Sequence, residues 1–194
     1  DLWALADQLG RDLHVGDRPV RTTFFGRSDL LVDRRELSLP LMPLAWRMVD
    51  AGPYDVVVTS SHACAKGFRP ARSALHLSYC HTPMRYVWDA HDRRHPAQLV
   101  AGLGPRQALR RWDRRSARWV DGFAANSSEV ARRIERSYGR PSRLIFPPVD
   151  TAWFRPGPVA AASVPAGPFV LACSRFVPYK RLDLAIEAAA RAGI

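Results

Sequence analysis

Several times along this chain an apolar run rich in β-branched residues ends in small polar side chains and gives way to a helical pattern. Parallel strands need a crossover connection, usually a helix, so this alternation predicts a parallel α/β sheet. The clearest strand covers residues 55–59, where Val56, Val57 and Val58 suit a strand covered on both faces, and it ends in Ser60, Ser61 and His62. A second, residues 74–80, ends at His81, Thr82 and Pro83; a third, 122–125, ends at Asn126, Ser127 and Ser128. A fourth, 143–146, is closed by Pro147 and Pro148. Ligands of such sheets gather at the carboxyl ends of the strands, so these polar endings are where chemistry is expected.

The helices between them are read from spacing. Ser127 or Ser128 caps a helix with Val130, Ile134 and Tyr138 on one face, and Gly139 with Pro141 stops it. Across residues 105–120, Leu109, Trp112, Ser116 and Trp119 recur every three or four positions. Arg106, Arg110, Arg111, Arg114, Arg115 and Arg118 lie between them. Two readings stand for that basic face: a solvated surface, or a surface that meets anionic lipid headgroups. At the start, Leu2, Leu5, Ala6, Leu9 and Leu13 read as one face of a helix, and with neither a methionine nor a charged-then-apolar pattern at Asp1 the sequence is expected to begin inside a domain.

Hydrophobic residues make up 47% and charged residues 24% of the 194, ordinary for a globular protein and unlike a disordered or fibrous chain. The net charge is +11, yet lysine occurs only at Lys66 and Lys180, an arginine skew that compositional bias explains as well as function does. The charge therefore points to some anionic partner, with no RNA-recognition, zinc-finger or helix-turn-helix signature to make it nucleic acid. Cys64, Cys80 and Cys173 form no CxxC pair, which argues against a disulfide framework or zinc ribbon and for a reducing compartment.

The uncharged stretch 156–174 contains four prolines and two glycines and reads as a linker running into a strand, not a membrane span. Residues 169–174 read as that strand, Arg175 to Tyr179 as a loop, and Lys180 or Arg181 as the start of a helix burying Leu182, Ala185, Ile186 and Ala189. One strand and one helix cannot form a core alone, so the expected organisation is a first domain over 1–155, a linker over 156–168 and an incomplete second domain over 169–194.

Three places carry candidate chemistry. In Ser174-Arg175-Phe176-Val177-Pro178-Tyr179-Lys180, a strand end, a guanidinium and a lysine near a helix N-terminus form a candidate diphosphate cradle. The fork of Arg175 spans two oxygens and Lys180 adds a point charge; the bland reading is an ordinary basic surface loop. His81 stands at a strand terminus facing a cleft, where a satisfied structural histidine is the competing reading. His91 and His95 have the i, i+4 spacing of metal ligands, but no HExxH motif accompanies them and Pro96 limits the helix, so no metal site is expected. No GxGxxG, P-loop or Asp-x-Asp occurs, which leaves diphosphate neutralisation to basic side chains and helix ends.

Taken together, five segments resemble the family-four glycosyltransferases, retaining enzymes of the two-Rossmann GT-B fold. They are Tyr54 to His62, Ser78 to Asp89, Ala125 to Ile134, Pro147 to Thr151, and Ser174 to Arg181. The runs 80–89 and 177–181 are most similar to the bacterial mannosyltransferases that build O-antigen and exopolysaccharide repeats. The resemblance implies a Rossmann-like acceptor domain followed by the first strand and helix of a nucleotide-sugar domain, with the reaction in the cleft between.

It further implies that Arg175 and Lys180, with Ser174, hold the donor diphosphate, and that His81 lies beside the transferred sugar. Arg85 and Tyr86 are acceptor-side candidates. The implied donor is a nucleotide sugar, GDP-mannose first; the implied acceptor is a glycan or a lipid-linked sugar; no cofactor or metal is needed. A phosphate oxygen of the leaving diphosphate is expected to take the acceptor proton, so no protein nucleophile is required. The implied location is cytoplasmic, at the inner face of the cell membrane if the basic helix binds lipid. The family's first strand and glycine-rich acceptor loop are expected before Asp1 and its acidic E-x7-E region after Ile194, so residues 1–194 alone are expected to be inactive. The rival reading is a non-catalytic basic module for nucleic acid or an anionic membrane surface.

Overall fold

A computed structural model describes residues 2–4, 14–15, 18–27, 41–50, 52–89, 103–157, 167–174, 176 and 180–194. The chain divides into two compact units, Asp1–Pro147 and Pro148–Ile194.

The first unit opens with a small sheet of β1 (Leu2–Ala4), β2 (His14–Val15) and β3 (Arg18–Thr22). β3 lies in the middle, parallel to β1 and antiparallel to β2. Residues 2–4 are thus extended, not helical as their spacing suggests, because three apolar positions fit either period and the ladder to Val20, Arg21 and Thr22 selects the strand. Leu5, Ala6, Leu9 and Leu13 lie outside the described residues. Next in sequence is the short helix α1 (Met42–Arg47).

The main sheet is the predicted one. β4 (Val56–Ser61), β5 (Leu75–Cys80), β6 (Gly122–Ala125) and β7 (Arg143–Leu144) lie side by side in that order, all parallel. The fourth strand is shorter than the expected 143–146, although the Ile145 N–H still donates to the Ala125 carbonyl at 2.9 Å. Pro147, which has no N–H, cannot carry the ladder on.

Between the strands come α2 (Arg85–Trp88), α3 (Leu103–Ser116) and α4 (Ser128–Tyr138). α4 starts and stops as its sequence predicts. The Ser127 hydroxyl accepts from the Val130 N–H, and Gly139 closes the helix with φ 65°, a left-handed conformation that suits glycine. α3 continues into a 3-10 turn, Ala117–Trp119, covering the predicted span with Leu109 and Ser116 buried. The Arg140 guanidinium donates to the Ala117, Val120 and Asp121 carbonyls beyond it, so this arginine is structural.

Two apolar clusters fill the unit. Ile134, Ala125, Phe123, Val120 and Cys80 pack between α4 and the sheet; Phe25, Met42, Cys64, Met84, Val87 and Leu109 form the other. Between α3 and the 3-10 turn Ala65–Gly67 the fit is close enough that a Cβ on Gly67 would run into the Trp112 ring.

The valine run corrects one expectation. Val56 is 53% and Val58 67% exposed, while the alternate positions Thr59 and Ser61 are buried with His76, Ser78 and Cys80 of β5. Strand side chains alternate between faces, and here the polar set faces the clusters, leaving Val56, Val58, Leu75 and Leu77 on a face without cover among the described residues. The buried polar set is satisfied in part by His76, which bonds Thr59 Oγ1 through Nε2 at 3.2 Å and the Trp119 carbonyl through Nδ1 at 2.9 Å.

In the second unit, α5 (Leu182–Arg191) is the predicted helix, entered through Arg181 at φ 50°. Its expected apolar side is only half realised: Leu182, Ala185 and Ala189 are partly covered, but Ile186 is 71% exposed. Residues 169–174 form no strand, since among the described residues no neighbouring strand lies alongside to complete a ladder.

Candidate active site

The first unit's candidate site lies at the carboxyl ends of β4 and β5. Register pairs Ser60 with Tyr79 and Ser61 with Cys80, so the two strands run out together. His81 follows immediately, and its N–H donates to the Ser61 carbonyl at 2.8 Å, holding its backbone one step beyond the strand. Its ring is held from two sides. Nε2 shares a 2.8 Å hydrogen bond with Ser60 Oγ, and the Tyr79 ring meets the imidazole edge to face, with centroids 5.2 Å apart. Tyr79 is itself tethered through its hydroxyl, which donates to the Ile145 carbonyl at 3.1 Å. The His81 side chain is exposed.

His62, next after β4, is electrostatically linked to His81. Partial burial of its ring, and secondarily the neighbouring imidazole of His81, hold His62 below its ordinary value, since two adjacent imidazolium charges repel.

Arg85 and Tyr86 follow on α2. Arg85 lies 3.4 Å from Asp89, which also takes a 3.2 Å hydrogen bond from Arg133, while Tyr86 packs against the Met42–Leu109 cluster. α2 is anchored from below by a buried network absent from the sequence reading. Asp113 of α3 is fully buried and pairs with Lys66, itself 1% exposed. The same carboxylate accepts from Trp88 Nε1 at 2.6 Å and from the Tyr138 hydroxyl at 2.9 Å. Lys66 also donates to the Ala63 carbonyl at 3.1 Å and lies over the rings of Trp112 and Tyr138. Burial, reinforced by the Asp113 charge, pushes the Tyr138 phenol well above its ordinary value, keeping it a proton donor. Trp88, the last residue of α2, is thereby fixed beside the site.

The basic helix proves to be of two kinds. Arg106 donates to the Val87 carbonyl, Arg114 to the Ser137 carbonyl, and Arg110 stacks on Trp88 at 4.2 Å. Arg111, Arg115 and Arg118 are exposed.

In the second unit, Ser174 is partly covered and Lys180 is exposed just ahead of α5; the Arg181 guanidinium pairs with Asp183 at 2.8 Å. Arg175 and the 177–179 stretch lie outside the described residues, as do His91 and His95. Among the described residues no three histidine, cysteine or acidic side chains gather into a metal site.

The residues that sequence reasoning missed are Ser60, Tyr79, His62 and the Lys66–Asp113 pair. Ser60 and His62 were already in view as the polar ending of a strand; a register placing that strand beside 74–80 would have brought Ser60 to His81. Lys66 and Asp113, 47 positions apart, had no local signal.

No curated protein and no solved structure matches the chain. The profile of Glycosyltransferase Family 4 matches residues 5–153, a span that contains the whole main sheet and His81. The parallel Rossmann-like sheet and that match agree, and the chain belongs to glycosyltransferase family 4, enzymes that transfer a sugar from a donor to an acceptor.

Proposed function

We propose that this protein transfers a sugar, mannose in the first instance, from a nucleotide-diphosphate sugar to a glycan or lipid-linked acceptor, with retention of anomeric configuration, in polysaccharide biosynthesis. The observation that carries the reading is His81, exposed at the carboxyl edge of a parallel sheet and fixed there by Ser60 and Tyr79. In this reading His81 contacts a hydroxyl of the transferred sugar as positive charge develops at its anomeric carbon. Arg175 and Lys180, with Ser174, hold the diphosphate. The bond from the anomeric carbon to the diphosphate breaks, the acceptor oxygen bonds to that carbon on the same face, and its proton passes to a phosphate oxygen. Basic side chains neutralise the leaving group, consistent with a sequence that has no Asp-x-Asp.

Arg85 and Tyr86 line the acceptor side. The exposed Arg111, Arg115 and Arg118 suit a peripheral contact with anionic lipid at the cytoplasmic face of the membrane, where a lipid-linked acceptor is presented. No described helix is long and apolar enough to cross a membrane. The test is a donor screen on the full-length protein, with GDP-mannose, UDP-glucose and UDP-N-acetylglucosamine, scoring transfer into lipid extracts. Arg175→Ala and Lys180→Ala should each lower kcat about 100-fold, the loss of one preorganised donor to a developing anion. Full activity in the double variant would overturn the diphosphate assignment.

A further inference from the structure

Ser60 and His81 lie 21 positions apart and meet only because β4 and β5 run parallel and end together. The His81 backbone is already pinned by the Ser61 carbonyl, and Tyr79 borders one side of the ring. What remains free is the rotation of the imidazole and the choice of which nitrogen carries the proton. The 2.8 Å bond to Ser60 Oγ fixes the first, and which partner donates in it sets the second.

The geometry points to Ser60 as a positioning residue for sugar transfer: its hydroxyl donates to Nε2 of His81, so that the proton resides on Nδ1 and Nδ1–H is the group offered to the sugar. The Ser60 side chain makes no other hydrogen bond among the described residues, so its proton is available to Nε2. Nδ1 likewise has no partner among them and is left for a ligand. A neutral imidazole with Nδ1–H can donate to a sugar hydroxyl oxygen without placing a full positive charge beside a forming oxocarbenium ion. Histidine in water prefers the other tautomer, so a second group must impose this one. The inference rests on the reading that His81 faces the transferred sugar, and it adds which ring atom does so and what holds it.

The experiment is ring ¹⁵N NMR of His81 in the full-length protein at about pH 8, where an ordinary histidine is neutral. Wild type and Ser60→Thr should show Nδ1–H, and Ser60→Ala a shift toward Nε2–H. With whichever of the three nucleotide sugars the wild type uses, Ser60→Ala should lower kcat about 5- to 10-fold with KM within about twofold, and Ser60→Thr should restore it. Identical ring spectra in wild type and Ser60→Ala would overturn the inference, as would an altered spectrum with unchanged kcat. His81→Ala separates the two layers. Wild-type turnover in that variant would sink the reading of His81, while the ring spectra would still decide whether Ser60 sets its tautomer.

Discussion

Replacing Lys66 by methionine removes a cation from a fully enclosed site while keeping most of the side chain's volume. Asp113, 0% exposed, would keep its bonds from Trp88 and Tyr138 but lose its only counter-charge among the described residues. Stranding one member of a buried pair costs about 3–5 kcal/mol. At about 1.4 kcal/mol per tenfold, that is a 10²- to 10⁴-fold fall in the folding constant. Against a typical total of about 5–15 kcal/mol, the loss is large enough to read easily in urea.

Asp113→Asn poses the converse problem, leaving the Lys66 ammonium with the Ala63 carbonyl and two ring faces. The combined Lys66→Met/Asp113→Asn variant removes both charges and keeps an amide oxygen for Trp88 and Tyr138. It should therefore be more stable than the sum of the singles by at least about 2 kcal/mol. Urea titrations followed by tryptophan fluorescence and circular dichroism supply all four corners of the cycle. A Lys66→Met cost below about 1 kcal/mol, or singles that simply add, would refute a buried, coupled pair.

Two further outcomes concern titration. Burial pushes the Cys64 thiol up to about 12 and the Cys80 thiol up to about 11, whereas Cys173 is exposed; at pH 8 iodoacetamide should label Cys173 first and the other two only on unfolding, as read by mass spectrometry. Because both folded values lie above those of the unfolded chain, their contribution is full below about pH 9 and is lost as pH rises toward 11–12, so urea midpoints should fall in that window. His76 has the opposite sign: burial lowers it despite the Trp119 carbonyl and Asp121, so its contribution is present above about pH 6.5 and is lost as pH falls through its depressed value. His76→Gln should flatten the acid side of the stability profile, and an unchanged acid limb would count against a neutral buried ring.

The parallel sheet was legible because its signals are local. Strands 75–80 and 122–125, the Ser127 cap and the Gly139 stop were all read within a residue or so, each depending on neighbours a few positions away. Residues 2–4 were misread for the same reason: three positions cannot show a period, and a ladder with β3 decided them. Residues 169–174 show the reverse, a strand-like run that forms no strand because a strand needs a partner. The valines were apolar as a doubly covered strand requires, yet which face is covered depended on what packs against it.

The amino-acid sequence by itself determined the α/β class, the places of the four main strands along the chain and the presence of a histidine at the carboxyl end of β5. Those follow from hydrophobic period, turn residues and capping, which act over a few residues. The tertiary structure alone decided that Ser60 holds the His81 ring and that Lys66 meets Asp113 beneath Trp88. Such pairings join residues 21 and 47 positions apart: strand register brings the first together at an exposed sheet edge, and helix packing excludes water from the second, where a charge pair counts for most.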